Sequence, residues 1–277
     1  MSDPREPQLQ LAHPLLTAWR APGVLQVGSG AGWFVLSGVP EQLPRVIELL
    51  SRPRTRGEIA ALVPGLEPDW IGWLCEHLSS AGLLTQANPD APRPVLVFGR
   101  GQLAVTTLSM MRAAGIRPRH LNAHTDLLPA DALVVIAAET AEPDRTLLNR
   151  LASAGVEHLV IRAEPSRAVV GPLVDPATSP CVRCDDLARA QHDRTWPVLL
   201  AQLCTTGVQP DVALAAWAAA TATAAIRARL AGLASEFAGR TLELGSPDFR
   251  LRSRRWPLQP ECGCHGEAFA PSGTLAG

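Results

Sequence analysis

The fold is decided by a stretch near the middle of the chain, VVGPLVDPATSPCVRCDDLARAQHDRTWPVLLAQL, residues 169–203. It contains Cys181 and Cys184, two residues apart in a polar turn that follows a proline. A second pair, Cys262 and Cys264, occurs in PECGCHGE near the end of the chain. Four of the six cysteines are therefore used in two tight pairs that are far apart in sequence.

This cysteine pattern is typical of a metal site. A C-x2-C turn presents two sulfurs to one ion, and zinc accepts four thiolates in a tetrahedron. The C-x-C pair is tighter than the usual spacing, so His265 beside Cys264 is an alternative ligand. The competing interpretation is four unliganded core thiols, but both pairs lie in polar, loop-like sequence. A site with four protein ligands is closed and therefore structural. Cys75 and Cys204 lie in helical patterns and are expected to pack in the interior.

Composition narrows the class of protein. The chain has 277 residues, 47% hydrophobic and 18% charged, enough for one large or two smaller globular domains. Its net charge of −1 does not favour a nucleic-acid partner. The N-terminus lacks the basic start and apolar run of a signal peptide. The apolar segment 212–226 is shorter than the roughly 20 residues that a membrane span needs. We therefore expect a cytoplasmic protein without a membrane partner, a compartment in which cysteine pairs favour metal over disulfides.

The pattern along the chain predicts an α/β protein with two domains. Residues 1–84 read as a hairpin followed by three short helices, which indicates a winged-helix-like module. Residues 85–94 read as a linker. Residues 95–265 contain continuous apolar strands separated by helices, typical of a parallel sheet covered on both faces. Residues 266–277 read as a loose tail.

A glycine turn opens the second domain. In FGRGQLA, residues 98–104, the positions Gly99, Gly101 and Ala104 form a G-x-G-x-x-A pattern after a strand and before a helix. Such a turn lets a phosphate approach the helix N-terminus, or it only makes a tight turn. The candidate ribose ligand is Asp126, but no clear second strand ends just before it. We favour a vestigial turn.

Two other features have plain interpretations. His120 and His124 are expected to be solvated, because Pro118 precedes them and the region has no helical periodicity. The basic run at Arg250–Trp256 either pairs with acidic groups of a partner or forms a solvated strand edge that discourages aggregation.

Residues 169–203 resemble the ThiF-like, ubiquitin-activating-enzyme-related proteins associated with cyclodehydratases of thiazole/oxazole-modified peptides. The characteristic pattern of those proteins includes GPLV, PC-x-x-C, D-L-x-R, WP and QL, and a closing C-G-C. The positions that match are Gly171 to Val174, Cys181, Cys184, Asp186, Leu187, Arg189, Asp193, Trp196, Pro197, Gln202, Leu203, Cys262 and Cys264. The glycine turn after the strand at Val95 is a weaker match, so the resemblance covers about residues 95–264.

The resemblance implies a Rossmann-type α/β domain in which Cys181, Cys184, Cys262 and Cys264 hold one structural zinc ion. It also implies that residues 1–84 are a PqqD-like module that binds a precursor's leader peptide as an added strand. The third strand of that module and a neighbouring helix would form the binding site, with core packing as the alternative role of the two tryptophans. The residues concerned are Trp33, Phe34, Val35 and Leu36 in WFVLSG, and Trp70, Trp73 and His77 in DWIGWLCEHL.

The chain departs from the adenylating members of that family. These use a fuller glycine loop and a Lys on the ATP phosphates, whereas this sequence contains no lysine at all. We therefore expect no ATP chemistry and predict a non-catalytic scaffold that presents a precursor peptide to a YcaO-type, ATP-using cyclodehydratase. An adenylating enzyme and a winged-helix DNA-binding regulator are the alternatives. Relatives also suggest a homodimer through the Ala-rich segment near Trp217, which a buried core helix explains equally well.

Overall fold

The computed structural model describes residues 6–28, 32–87, 93–121, 128–129 and 131–264. The predictions made for His124, Asp126, His265 and the tail 266–277 concern residues outside these ranges. The chain divides into two units, residues 1–92 and 93–277.

The N-terminal unit combines short strands with three helices. Its elements are β1 (Gln8–Leu11), β2 (Thr17–Ala21), β3 (Val24–Val27), β4 (Phe34–Ser37), α1 (Leu43–Leu49), α2 (Arg56–Leu62), α3 (Pro68–Ser80) and β5 (Leu84–Ala87). The strands form an antiparallel sheet in the order β2-β3-β4 and a two-stranded antiparallel sheet of β1 and β5.

Sequence patterns explain most of this unit. Leu25, Val27 and Leu36 alternate along β3 and β4 and face one core with the apolar sides of the helices. Thr55 caps the N-terminus of α2, and its hydroxyl accepts a hydrogen bond from the Glu58 amide in the predicted capping box. The pairing of β1 with β5 was not predicted, because the two strands are more than seventy residues apart. β5 includes three residues of the stretch expected to be a linker. The winged-helix assignment stays a prediction.

The C-terminal unit is a mixed α/β fold. Its elements are β6 (Val95–Phe98), α4 (Gln102–Ala113), β7 (Arg119–Leu121), β8 (Leu133–Ala137), α5 (Arg145–Ser153), β9 (Glu157–Ala163), β10 (Arg167–Val174), α6 (Val182–His192), α7 (Trp196–Leu203), α8 (Val212–Leu230), β11 (Arg240–Gly245), β12 (Leu251–Arg255) and a 3-10 turn at Pro260–Cys262.

One seven-stranded sheet organises this unit, in the order β12-β11-β10-β9-β8-β6-β7. β6, β8 and β9 are parallel, as predicted, and β7, which was not predicted, runs parallel to β6. From β9 to β12 the neighbours are antiparallel, which the sequence analysis did not predict. The connection from β9 to β10 is only three residues long, and such a short connection joins antiparallel strands, because a parallel pair needs a long crossover.

The Ala-rich segment forms α8, which packs against α4 and against β9 and β10. Its buried face is made largely of small side chains, Ala215, Ala218, Ala219 and Ala222. All of these except Ala219 lie in the same core cluster as residues of β6 and β8. Small residues let the helix approach its neighbours closely, and this explains the composition of the segment. Among the described residues, no helix is both long and apolar enough to cross a membrane.

Candidate functional site

The four paired cysteines meet at one place in the C-terminal unit. The Cys181 Sγ lies 3.4 Å from the Cys262 Sγ, and the Cys184 Sγ lies 3.6 Å from the Cys264 Sγ. All four sulfurs lie within 4.8 Å of one another, and all four cysteines are free thiols. Disulfide sulfurs are about 2.05 Å apart, so this spacing is that of unbonded sulfurs around a common centre. The arrangement could hold a metal ion.

Two backbone turns produce this geometry. Cys181 is the extended residue that precedes α6, and the Cys184 amide bonds the Cys181 carbonyl at 3.0 Å, so both sulfurs leave the same first turn. Cys262 ends the 3-10 turn, and Gly263 after it has a φ of 69°. Side chains rarely adopt that left-handed conformation, which explains why glycine separates Cys262 from Cys264. The tight C-x-C spacing is therefore compatible with a four-sulfur cluster.

The pKa values of the clustered thiols are shifted in different directions. Hydrogen bonding from the Cys181 thiol lowers the pKa of Cys184 to about 5, in spite of burial. The same bond, together with burial, raises the pKa of Cys181. Burial raises the pKa of Cys262 to about 12. Four negative sulfurs this close together would repel one another, so a bound cation must replace the protons for all four to ionise.

Ion pairs with little exposure to water fix the helix at the first cysteine pair. Arg145 on α5 donates to both oxygens of Asp186 on α6, at 2.8 and 2.9 Å. The Trp196 indole donates to the same carboxylate at 3.1 Å. Arg189 on α6 donates to Asp185 at 2.9 Å and lies over the rings of Trp196 and Trp256. These bonds position α6 and, with it, the cysteine turn.

A second carboxylate extends this network towards the sheet. Glu142 is only 5% exposed and pairs with Arg162 on β9 and with Arg145 at 3.0 Å. Arg189 lies 3.7 Å from the same carboxylate. Burial opposes ionisation, but the three arginines outweigh it and lower the pKa of Glu142. The cysteine helix is thus tied to the central sheet through charges that have little contact with water.

The sequence pointed to only some of the residues that hold α6 in place. Asp186, Arg189 and Trp196 belong to the quoted family pattern, although their contacts could not be inferred from it. Glu142, Arg145 and Arg162 were missed. They lie in other segments with no distinguishing motif, and only the folded chain brings them to α6.

The glycine turn has the predicted place at the end of β6 and the start of α4. A Cβ at Gly99 would lie 2.5 Å from the Ala137 carbonyl oxygen and 3.2 Å from the Ala104 Cβ. Only glycine fits there, and the small Ala104 allows the helix to approach the strands. Gly101 is the extended residue that precedes α4.

The amides of this turn are already engaged by the protein itself. The Arg100 and Gly101 N–H groups both donate to the carboxylate of Glu139, which follows β8. A cleft of about 360 Å³ lies beside the turn, lined in part by Gly101, Ala104, Glu139 and Gly207. Glu139 therefore places an internal negative group where an anion would meet the helix N-terminus.

One prediction about this region needs correction. No strand was expected before Asp126, yet β7 at Arg119–Leu121 runs parallel to β6. β7 is a three-residue edge strand with two exposed polar side chains, so it lacks the apolar run that revealed the other strands. His120 is exposed, as expected, and its Nε2 also lies within hydrogen-bonding distance of the Gly99 carbonyl oxygen.

The predicted strand WFVLSG forms β4 and its flanks. Trp33 and Val35 are 47% and 37% exposed, Phe34 is half-buried, and Leu36 lies in the core. The Arg20 guanidinium lies 4.5 Å from the centre of the Trp33 ring. Among the described strands, β4 pairs only with β3, so its other edge carries no strand.

The predicted helix DWIGWLCEHL lies within α3. Trp70 and Trp73 are half-buried against the core and meet edge to face at 5.5 Å between ring centres. Trp73 also contacts the exposed His77, whose Nδ1 lies 2.9 Å from the Trp73 carbonyl oxygen. Each tryptophan thus combines core packing with a partly exposed surface.

Comparison with known proteins gives structural neighbours. No family model and no curated protein matches the sequence. A solved structure described as a heterocyclase in complex with substrate and cofactor matches 94% of this chain and 40% of its own, with a TM-score of 0.63 and 16% identity. The heterocyclase TruD matches with a TM-score of 0.59 and 16% identity, over 94% of this chain and 43% of its own. E. coli MccB, solved with AMPCPP and MccA, matches with a TM-score of 0.52 and 12% identity, over 94% of this chain and 99% of its own.

These neighbours show that this chain shares its fold with the two heterocyclases and with MccB, in agreement with the fold that the predicted resemblance implied. The chain spans about two fifths of the length of the two heterocyclases.

Proposed function

We propose that this protein is a non-catalytic scaffold. It binds the leader segment of a ribosomally made precursor peptide and presents it to a YcaO-type, ATP-dependent cyclodehydratase that forms azoline rings. The observation that carries the proposal is the edge of β4 that no described strand occupies, in a chain whose fold is shared with heterocyclases.

The leader peptide would be added to β4 as a further strand. Main-chain hydrogen bonds along an open edge provide affinity, and side chains beside it provide selectivity. Trp33 and Val35 offer exposed apolar surface at this strand, and the cation–π contact from Arg20 orients the Trp33 ring. Trp70, Trp73 and His77 of α3 are the candidate contacts from the neighbouring helix.

The cysteine cluster would hold a structural zinc ion. Zinc–thiolate bonds of ~2.3 Å in a tetrahedron place sulfurs about 3.8 Å apart, which the observed 3.4 and 3.6 Å approach. Four sulfurs fill the coordination shell and leave no position for substrate. The ion would therefore fix the segment after β12 to α6, and it would supply no chemistry to the reaction.

A second candidate function is adenylation, since MccB was solved with the nucleotide analogue AMPCPP. Two features favour the scaffold instead. Glu139 accepts hydrogen bonds from the Arg100 and Gly101 amides, which a phosphate would otherwise use. The chain also has no lysine to neutralise phosphate charge. ATP–pyrophosphate exchange by the purified protein would establish the adenylating alternative.

The test begins with affinity capture of the tagged protein from its host, with intact-mass detection extended to small peptides. The captured peptide and enzyme are then purified and combined, with and without this protein. Ring formation, measured as loss of one water per ring, should be fast only when this protein is present. Equal rates without it would refute the scaffold role.

A variant pair links the result to β4. Val35→Asp places a charge on the exposed apolar surface of the strand and should weaken peptide binding and slow ring formation. Leu62→Asp is the matched control, because Leu62 is 48% exposed on α2 of the same unit. Equal loss in both variants would contradict the assignment of β4.

A further inference from the structure

The far edge of the seven-stranded sheet is strongly basic. β12 has the sequence LRSRR, and all five of its residues are exposed. Arg250 directly precedes the strand, so four arginines lie within six positions of a chain whose net charge is −1. The charge is therefore local to this edge.

Three of these arginines have no ionic partner among the described residues: Arg252, Arg254 and Arg255 make no ion pair there. Arg254 lies over the Trp256 ring, and Arg250 pairs with the exposed Asp248 at 3.3 Å. Successive side chains of a strand point to opposite faces, so Arg252 and Arg254 lie on one face and Arg255 on the other. A strand placed beside β12 would meet positive charge on both of its faces.

The backbone of this edge is also open. β12 pairs with β11 from Leu251 to Arg255, and no other described strand pairs with it. Apolar surface lies at the same end of the strand, since Phe249 and Leu251 are 56% and 59% exposed. The edge thus offers unused hydrogen-bonding groups together with charge and a small apolar patch.

We propose that β12 is a docking edge for an acidic, extended segment of a protein partner. The segment adds as an eighth strand, and its carboxylates pair with Arg252, Arg254 and Arg255. A second copy of this chain does not fit, because two β12 edges would place like charges opposite each other. Nucleic acid could use the charge but not the main-chain hydrogen bonds of a strand edge. This site lies in the C-terminal unit and does not depend on leader binding at β4.

The test measures binding of a labelled ten-residue peptide that alternates Glu with Thr or Val, by fluorescence anisotropy at physiological salt. The full-length protein should bind this peptide, and it should not bind a peptide in which Lys replaces every Glu. The variant R252E/R254E/R255E should lose at least about tenfold in affinity, the sum of three modest ion pairs. The same acidic peptide with its backbone amides N-methylated should lose at least about tenfold, because it cannot form the ladder.

Two controls keep the result interpretable. R112E/R150E/R194E changes three exposed arginines elsewhere in the unit by the same total charge and should leave affinity within about twofold, since distant charges are screened. The double variant R252E/R255E keeps the contact of Arg254 with Trp256. It should lose most of the affinity for the acidic peptide that the triple variant loses, without a change in thermal stability.

Three outcomes would overturn the proposal. The first is that the protein does not bind the acidic peptide. The second is that R252E/R254E/R255E binds the acidic peptide as tightly as wild type does, or that wild type binds the N-methylated peptide as tightly as the unmodified one. The third is tighter binding of a single-stranded oligonucleotide, which would assign the arginines to phosphate instead. None of these results bears on β4, so the scaffold proposal can fail or survive separately.

Discussion

Two helices of the C-terminal unit begin at a motif, and they differ in what surrounds that motif. α4 begins after the glycine turn, where the exposed Glu139 accepts the amides of Arg100 and Gly101. α6 begins within the first cysteine pair, with Cys181 just before the helix and Cys184 in its first turn, and its Asp186 pairs with Arg145 in an ion-pair network that also includes the buried Glu142. Both N-termini attract a negative group, but only one of them is built into the interior.

The two turns differ in how firmly their positions are fixed by the surrounding side chains. A side chain holds a ligand reliably when other side chains fix its own position. The cysteine turn has that second layer, whereas the glycine turn has one carboxylate from a neighbouring strand end. We therefore expect substitutions around α6 to cost far more than substitutions around α4.

The largest effect is expected for Cys184→Ser. Loss of one sulfur should reduce bound metal to near zero and lower the free energy of unfolding of the C-terminal unit by at least about 3 kcal/mol, a fraction of what structural zinc supplies to small domains. Metal analysis and urea unfolding followed by tryptophan fluorescence would measure both. Cys204→Ser is the control, because Cys204 is half-buried and lies outside the cluster. If Cys184→Ser kept the metal content of wild type, the four cysteines would not hold the ion.

Arg145→Met should have the next largest effect. It leaves Asp186, whose side chain is 16% exposed, without its bidentate partner. Breaking a fully buried pair costs about 3–5 kcal/mol, so we expect a loss of about 2–3 kcal/mol for this partly exposed one. Arg150→Met, on the exposed side of the same helix, should change stability by no more than about 0.5 kcal/mol. If the two variants were equally stable, α6 would not depend on this network.

Acid should weaken the region behind α6 through His158. Burial lowers the pKa of His158 to about 4, and His158, Arg145, Cys181 and Asp186 line one small cleft. An unfolded histidine titrates near 6.5, so the unfolded state binds a proton first as the pH falls. The contribution of His158 to the free energy of unfolding is therefore intact above about pH 6.5 and lost progressively down to about pH 4, by up to about 3 kcal/mol.

The measurement is the difference in unfolding free energy between wild type and His158→Asn across this pH range, which separates His158 from the cysteines. His192→Asn, at an exposed position on α6, should keep the wild-type slope. If the unfolding free energy of His158→Asn fell with pH as steeply as that of wild type, the cleft would admit water and His158 would not be held neutral.

The smallest effect is expected for Glu139→Ala. It leaves two amides of an exposed turn to water, so the free energy of unfolding should fall by less than about 1 kcal/mol. Thermal unfolding would measure it, with Glu139→Gln retaining an accepting oxygen as the control. A loss of several kcal/mol would show that the α4 turn is held as firmly as the α6 turn.

The sequence predicted those features that depend on local patterns. Apolar runs gave β6, β8 and β9, and the capping box at Thr55 gave the start of α2. The cysteine pairs predicted their own meeting, because two tight cysteine pairs in polar, loop-like sequence are typical of a shared metal ion. The family pattern extended the prediction from those local features to the fold.

The sequence could not reveal features that depend on contacts between residues far apart in the chain. β7 has too little apolar character to be recognised, since it lies at the edge of the sheet with two exposed side chains. Glu142 and Arg162 look like ordinary surface charges until the fold buries both of them beside α6. Glu139 likewise gives no sign in the sequence that it engages a turn nearly forty residues earlier.

The distance along the chain between the two cysteine pairs has a mechanical consequence. Cys181 and Cys262 are 81 residues apart, so an ion that joins them turns α6, α7, α8, β11 and β12 into a closed ring. A protease that cuts once in an exposed loop of that ring would release no fragment while the metal remains bound. A chelator added afterwards would open the ring, and the nicked chain would regain the conformational freedom that closure had removed.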